Sequence, residues 1–242
     1  MNPAVTRDTP AAAVSRARVG GAVLVGTSLG FIAVFSYLAA SFGYPEVLDG
    51  EAATVLPALL AGGSAMRAAW AFYAALPVGI GVAATQLFPL LRGAGEQRAR
   101  IGLVAAWVAT LAMITGLARW PTLHHGLAVR FATAGSEERR QISALFDGAN
   151  LYLGNVTGEF IGEIALCVWF TTLGLASLRG VGAHRSVGYL GLATAFSMTI
   201  GAFRNVTGAV AVVAEVNNTL LPLWLIAFGV ALWVRKAPSA RR

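Results

Sequence analysis

The sequence predicts an all-α, polytopic membrane helix bundle with six transmembrane helices and both termini in the cytoplasm. Composition is the first ground for this. Apolar residues make up 57% and charged residues 12% of the 242-residue chain, and the mean hydropathy is +0.68. A soluble domain is about 25% charged, so too little polar surface exists here to cover a water-soluble globule. The second ground is length. A helix needs about 20 apolar residues to cross the hydrocarbon core, and residues 19–40, 65–91, 101–118, 151–178, 187–203 and 216–234 form six such stretches. The third ground is that the connections between these stretches alternate in charge.

The tails and the 92–100 and 179–186 connections hold Arg7, Arg16, Arg18, Arg92, Arg98, Arg100, Arg179, Arg185, Arg235, Lys236, Arg241 and Arg242, against only Asp8 and Glu96. The other side holds Arg67, Arg119, Arg130, Arg139, Arg140 and Arg204, set among Glu46, Asp49, Glu51, Glu137, Glu138, Asp147 and Glu215. Basic residues flank spans on the cytoplasmic side, so both termini are expected inside and the number of spans is even. The net charge of +7 then reflects insertion topology and anionic lipid. No basic patch interleaved with aromatics appears, which argues against nucleic acid. Membrane lipid is the expected partner, and the sequence leaves oligomeric state open.

Taken in order, residues 1–18 read as a cytoplasmic tail, 19–234 as a single membrane domain and 235–242 as a basic cytoplasmic tail. The first stretch resembles a signal peptide's charged start, but its apolar run from Val19 to Ala40 is longer than a usual cleaved core, so it reads as a retained span. In the first outer connection, Asp49 is placed to cap a short interfacial helix over 51–61. Pro77 is expected to kink the second span, a defect tolerated where neighbours satisfy the freed carbonyl. In the second long outer connection, 121–131 reads as a helix with proline at its first position. Ser136 reads as the cap of another helix, which runs on into the fourth span. Trp107, Trp120 and Trp233 fall near interfaces and read as belt anchors. The tetrapeptide Asn155-Val156-Thr157-Gly158 recurs as Asn205-Val206-Thr207-Gly208, with no longer similarity around the copies.

Helical rise aligns one set of charges in depth. Each is separated from a basic marker at the inner end of its own span by nearly the same length of helix: Glu159 from Arg179, Arg119 from Arg100, Arg204 from Arg185, and Glu215 from Arg235. Because the rise per residue of an α-helix is constant, these charges reach a common level near the outer boundary. Arg67 opens the second span at that level, and Glu163 sits one turn deeper. Asn155, Glu159 and Glu163 follow one another at i+4 on one helix face. Gly154, Gly158 and Gly162 form a small-residue track beside them, which lets a neighbouring helix approach closely. An ionisable residue at mid-bilayer costs about 2.5–3.5 kcal/mol, so the acids need partners, and Arg119 and Arg204 are the natural ones. Two readings stand side by side. The cluster of Glu159, Glu163, Arg119, Arg204, Glu215, Arg67 and Asn155 either staples the outer ends of the helices or forms an outward-facing pocket.

Other chemistry finds little support. His124 and His125 are adjacent and point to different faces, a poor chelate; only with Glu159 and Glu163 do they suggest a zinc site. Otherwise they read as solvated or headgroup-facing. Cys167 is the single cysteine, so no intrachain disulfide forms. No HExxH, GxSxG, P-loop or dinucleotide motif occurs, no facing histidines suit haem, and Lys236, the single lysine, lies in the tail. No cofactor, metal site or catalytic residue is expected.

Three short segments carry a resemblance: Phe42-Gly43-Tyr44-Pro45-Glu46-Val47-Leu48, Arg119-Trp120-Pro121, and Gly158-Glu159-Phe160-Ile161-Gly162-Glu163. Together they resemble a family of bacterial multi-spanning membrane proteins known as a domain of unknown function. The resemblance implies a six-helix protein of the bacterial inner membrane and supplies no activity. The expected role is a non-enzymatic module binding a small ligand or a protein partner at the Arg/Glu cluster. The alternatives are a proton-coupled small-molecule transporter using Glu163 and an intramembrane metal-dependent enzyme.

Overall fold

The structure, a computed structural model, describes residues 9–235. The expected tails therefore lie outside the described residues over 1–8 and 236–242. Ten α-helices are present and no strand among the described residues: α1 Pro10–Phe42, α2 Ala52–Ala61, α3 Gly63–Ala75, α4 Val78–Leu91, α5 Glu96–Ala118, α6 His125–Thr133, α7 Ser136–Ala149, α8 Gly162–Leu178, α9 Arg185–Gly201 and α10 Ala211–Trp233. Six continuous helical runs are long and apolar enough to cross a membrane: Ala11–Phe42, Gly63–Ala94, Glu96–Thr133, Ser136–Leu178, Arg185–Asn205 and Gly208–Trp233. Each contains one of the six predicted stretches, the last to within one residue.

The spans pack as a closed ring in chain order. α1 packs on α4, α4 on α5, α5 on α8, α8 on α9, α9 on α10, and α10 returns to α1. At one end of the ring the termini meet, with the Arg18 guanidinium donating to the Arg235 carbonyl at 2.9 Å and Arg235 donating to the Gly182 carbonyl at 2.7 Å. Arg179 donates to the Ala94 carbonyl at 2.8 Å at the same end. These basic side chains satisfy carbonyls left free where helices stop. At the other end α2, α6 and α7 pack on one another as a helical cap.

Several expectations about that cap are corrected. The span that begins at α5 does not stop before Pro121; it winds through a π-helical turn, Trp120–His124, straight into α6. Its 38 residues make roughly 55 Å of helix, well beyond a hydrocarbon core of about 30 Å, so its far end builds the cap. Ser136 is the first helical residue of α7, not its cap; Gly135 precedes it with no side-chain bond. As expected, that helix runs into the fourth span, through a π-wound stretch, Asn150–Ile161. Asp49 does not cap α2. It ends a separate 3₁₀ turn, Glu46–Asp49, and Glu51 precedes α2. The helix of the first span begins at Pro10 with the Thr9 side chain accepting from the Ala12 amide at 3.3 Å, because Pro at the first turn needs no donor. Pro77, expected to kink the second span, stands at the turn over 76–77 that separates α3 from α4, and the Thr110 hydroxyl donates to its carbonyl at 3.2 Å.

The interior has two apolar clusters. Toward the end where the termini meet, Trp169, Phe170, Leu173, Trp224 and Phe228 are all at most 1% exposed. Toward the cap, Phe42, Trp70, Tyr73, Trp120 and Phe146 pack with α2 and α6. Trp107 and Trp233 remain exposed, but Trp120 is 0% exposed. It is no belt anchor, because the π turn swings its ring inward against Trp70, stacked at 4.6 Å and 11°.

Candidate functional site

The fifth span supplies the first half of the site. α9 ends at Gly201 and tightens into a 3₁₀ turn, Ala202–Asn205, which brings Arg204 and Asn205 against the fourth span. The Arg204 guanidinium grips Glu159 as a fork, Nε to Oε2 and Nη2 to Oε1, both at 2.8 Å. Asn205 donates to the same carboxylate at 3.0 Å, and Arg204 also reaches Asp49 at 3.7 Å. This planar, bidentate geometry is the strongest form of ion pair available to arginine. The two Asn-Val-Thr-Gly copies meet here: Gly158 directly precedes Glu159, and Asn205 holds it.

One turn deeper, Glu163 is half-buried. It makes no hydrogen bond or ion pair among the described residues, although Arg204 is near enough to act on it electrostatically. Below it comes buried Cys167, then the aromatic floor, where Phe170 and Trp224 pack at 4.3 Å and Trp224 and Phe228 at 5.2 Å.

Arg119 takes a different course. It is 5% exposed, its Nε donates to the Asn150 side chain at 3.0 Å and its Nη1 to the Gly116 carbonyl. Its guanidinium carbon sits 5.3 Å from the Trp120 ring centre. It forms no ion pair with a carboxylate among the described residues, so it is not the partner of Glu159 or Glu163. The glycine track explains how it fits. A Cβ at Gly116 would stand 2.6 Å from the Gly158 Cα, and one at Gly154 would stand 2.5 Å from Arg119 Nη2. The two helices cross with backbones touching, and the guanidinium lies over a glycine.

The remaining predicted residues do not join the cluster. Arg67 donates to the Pro121 carbonyl at 3.0 Å. Glu215 is exposed and Asn155 half-buried, and neither makes a hydrogen bond or ion pair among the described residues. The i+4 row that would have aligned Asn155 with Glu159 assumes α-helical winding, whereas this stretch winds with wider i→i+5 turns; the Thr157 hydroxyl bonds back five residues to the Tyr152 carbonyl at 2.9 Å.

A strap crosses this end. Gly43, at φ 69°, ends α1 in the left-handed region that favours glycine. Tyr44 then inserts among Phe35, Trp70 and Tyr73 at ring distances of 5.0 to 6.0 Å, and Asp49 reaches Arg204. Burial pushes the Tyr44 phenol up from its ordinary value, so it stays neutral. His124 is also a surprise. It is 0% exposed, set edge-on to Trp120 at 4.7 Å and against Phe146 at 4.6 Å. It is neither solvated nor near a zinc set; no group of three metal-ligating side chains occurs among the described residues. Sequence reasoning missed Asn150, Asn205, Trp70 and Tyr73. A polar Asn at the head of an apolar stretch was the available signal for Asn150, and the repeated Asn for Asn205.

A ring of six helices long and apolar enough to cross a membrane marks a multi-pass membrane protein. The chain belongs to the family described as Domain of unknown function (DUF4386), whose profile matches residues 19–229. Comparisons with curated proteins and with solved structures find no match.

Proposed function

We propose that this is a non-enzymatic module of the bacterial plasma membrane, with both termini in the cytoplasm, that binds a small ligand or partner at Glu159, Glu163 and Arg204. The orientation rests on the basic residues gathered where the termini meet. The observation that carries the binding reading is Glu163, a half-buried carboxylate with no hydrogen bond or ion pair among the described residues, one turn from the Glu159–Arg204 fork. Further along the same helix come buried Cys167 and Phe170, the latter packed on Trp224. Arg204 already satisfies Glu159, so Glu163 keeps acceptor capacity for a ligand.

The same unpartnered Glu163 favours a second reading, proton-coupled transport, since intramembrane acids without fixed partners serve as proton carriers. Native mass spectrometry on nanodisc-embedded protein separates the two. A small molecule bound to the wild type and lost in Glu163→Gln supports the module. No bound species, together with proton flux in liposomes that Glu163→Gln abolishes, supports the transporter and removes the first reading. For orientation, Ser143→Cys on α7 should react with a membrane-impermeant maleimide from outside the cell; labelling only after lysis would reverse the topology.

A further inference from the structure

The buried environment of Arg119 and the rings around it carries chemistry that the Glu159–Arg204 pair does not use. Four side-chain nitrogens there have no hydrogen-bond partner among the described residues: Nε1 of Trp70, Nε1 of Trp120, and both ring nitrogens of His124. All three residues are 0% exposed. They form one contact set, with Trp70 stacked on Trp120 at 4.6 Å and His124 edge-on to Trp120 at 4.7 Å. Arg119 lies over the same Trp120 ring, and its two bonded partners, an amide oxygen and a carbonyl, are both neutral.

Buried polar atoms are rarely left unpaired, and those that are demand an explanation. A buried charge needs a counter-charge more urgently still. Glu159 acts on Arg119 only from a distance, and its oxygens are held by Arg204 and Asn205. Tyr44 stays neutral. An indole N–H can only donate, a guanidinium can only donate, and a neutral imidazole donates once and accepts once. Donors therefore exceed acceptors around a permanent positive charge, which is the complement of an anion. Trp169 offers a control within the same molecule: its Nε1 is unpaired too, but it packs on Phe170 in the apolar floor, and no arginine lies over its ring among the described residues.

We propose that Arg119, Trp70, Trp120 and His124 form a buried binding site for a small inorganic anion of the halide class, beneath the cap and separate from the Glu159–Arg204 pair. Bound there, the anion neutralises Arg119 and accepts from the ring N–H groups. The proposal does not rest on the ligand-binding reading above.

The test uses the full chain in nanodiscs, with sodium gluconate replaced stepwise by sodium bromide at constant ionic strength. Bromide quenches indole fluorescence on contact, so a filled site beside Trp70 and Trp120 gives saturable quenching and a bromide-dependent rise in Tm. A hydrogen bond to an ion contributes roughly tenfold or more in affinity. His124→Phe should weaken saturation by about that factor, and Trp70→Phe, which keeps the ring and loses the donor, should shrink the bromide-minus-gluconate difference in Tm. Reading that difference cancels any loss of stability common to both salts. Arg119→Gln, where it folds, should abolish saturation. Quenching that is linear in bromide and equal in wild type and His124→Phe, with no halide effect on Tm, overturns the proposal; buried water then pairs these nitrogens.

Discussion

Arg119 and Arg204 stand equally far along their helices from the basic markers Arg100 and Arg185, and the two live in opposite surroundings. Arg204 is partly exposed and forks Glu159 with two bonds of 2.8 Å. Arg119 is buried, lies over Trp120 and Gly154, and touches only neutral oxygens. The difference comes from how each helix ends. α9 stops in a 3₁₀ turn that lets its arginine reach sideways to the preceding span. α5 does not stop; it winds on through a π turn, so its arginine is held inside. One residue type at one spacing from its marker thus becomes a partly exposed clamp in one place and a buried cation in the other.

The substitution expected to do most damage strikes both environments. Gly116→Val puts a side chain where the Gly158 backbone now lies, and overpacking against backbone costs about 3 kcal/mol or more. Thermal unfolding in nanodiscs should show a large loss of Tm; an unchanged Tm would deny the touching crossing that separates the two arginines. Next comes a pair of double-mutant cycles. Arg204→Ala with Glu159→Ala should show coupling of about 1 to 2 kcal/mol, while Arg119→Ala with Glu159→Ala should show little. Equal coupling in both cycles would erase the contrast. Gly154→Ala is milder, because the Arg119 side chain can shift away from the new methyl. It should cost about 1 kcal/mol, with the loss confined to the Arg119 side and the Arg204–Glu159 coupling unchanged. Asp49→Asn should be smallest, no more than about 0.5 kcal/mol, since that contact is long and solvent-screened; a larger loss of stability would make the strap a structural part of the clamp.

Much of the fold was legible because it follows from one-dimensional quantities. Span number and length follow from runs of apolar residues, and the basic end of the bundle follows from which connections hold arginine. The turn at Pro77 and the close crossing at Gly158 follow from residue types with unambiguous backbone consequences. The site was legible in part. Glu159 and Arg204 were both expected at one level and do pair, while Arg67 and Glu215, expected at that level, and Asn155, expected one turn away on the same helix face, stay apart from it. Trp120 and His124 were read as facing headgroup or water because they follow a predicted span end; the π turn carries that span onward and turns both rings inward.

The sequence by itself determined how far along its helix each charge stands from a basic marker, because rise per residue is nearly constant along a helix. Only the tertiary structure decided which of these charges meet. Rotation about each helix axis, the order of neighbours in the ring and the local switch from α to π winding arise from contacts between residues far apart in the chain, where Gly116 meets Gly158 and Arg204 meets Glu159.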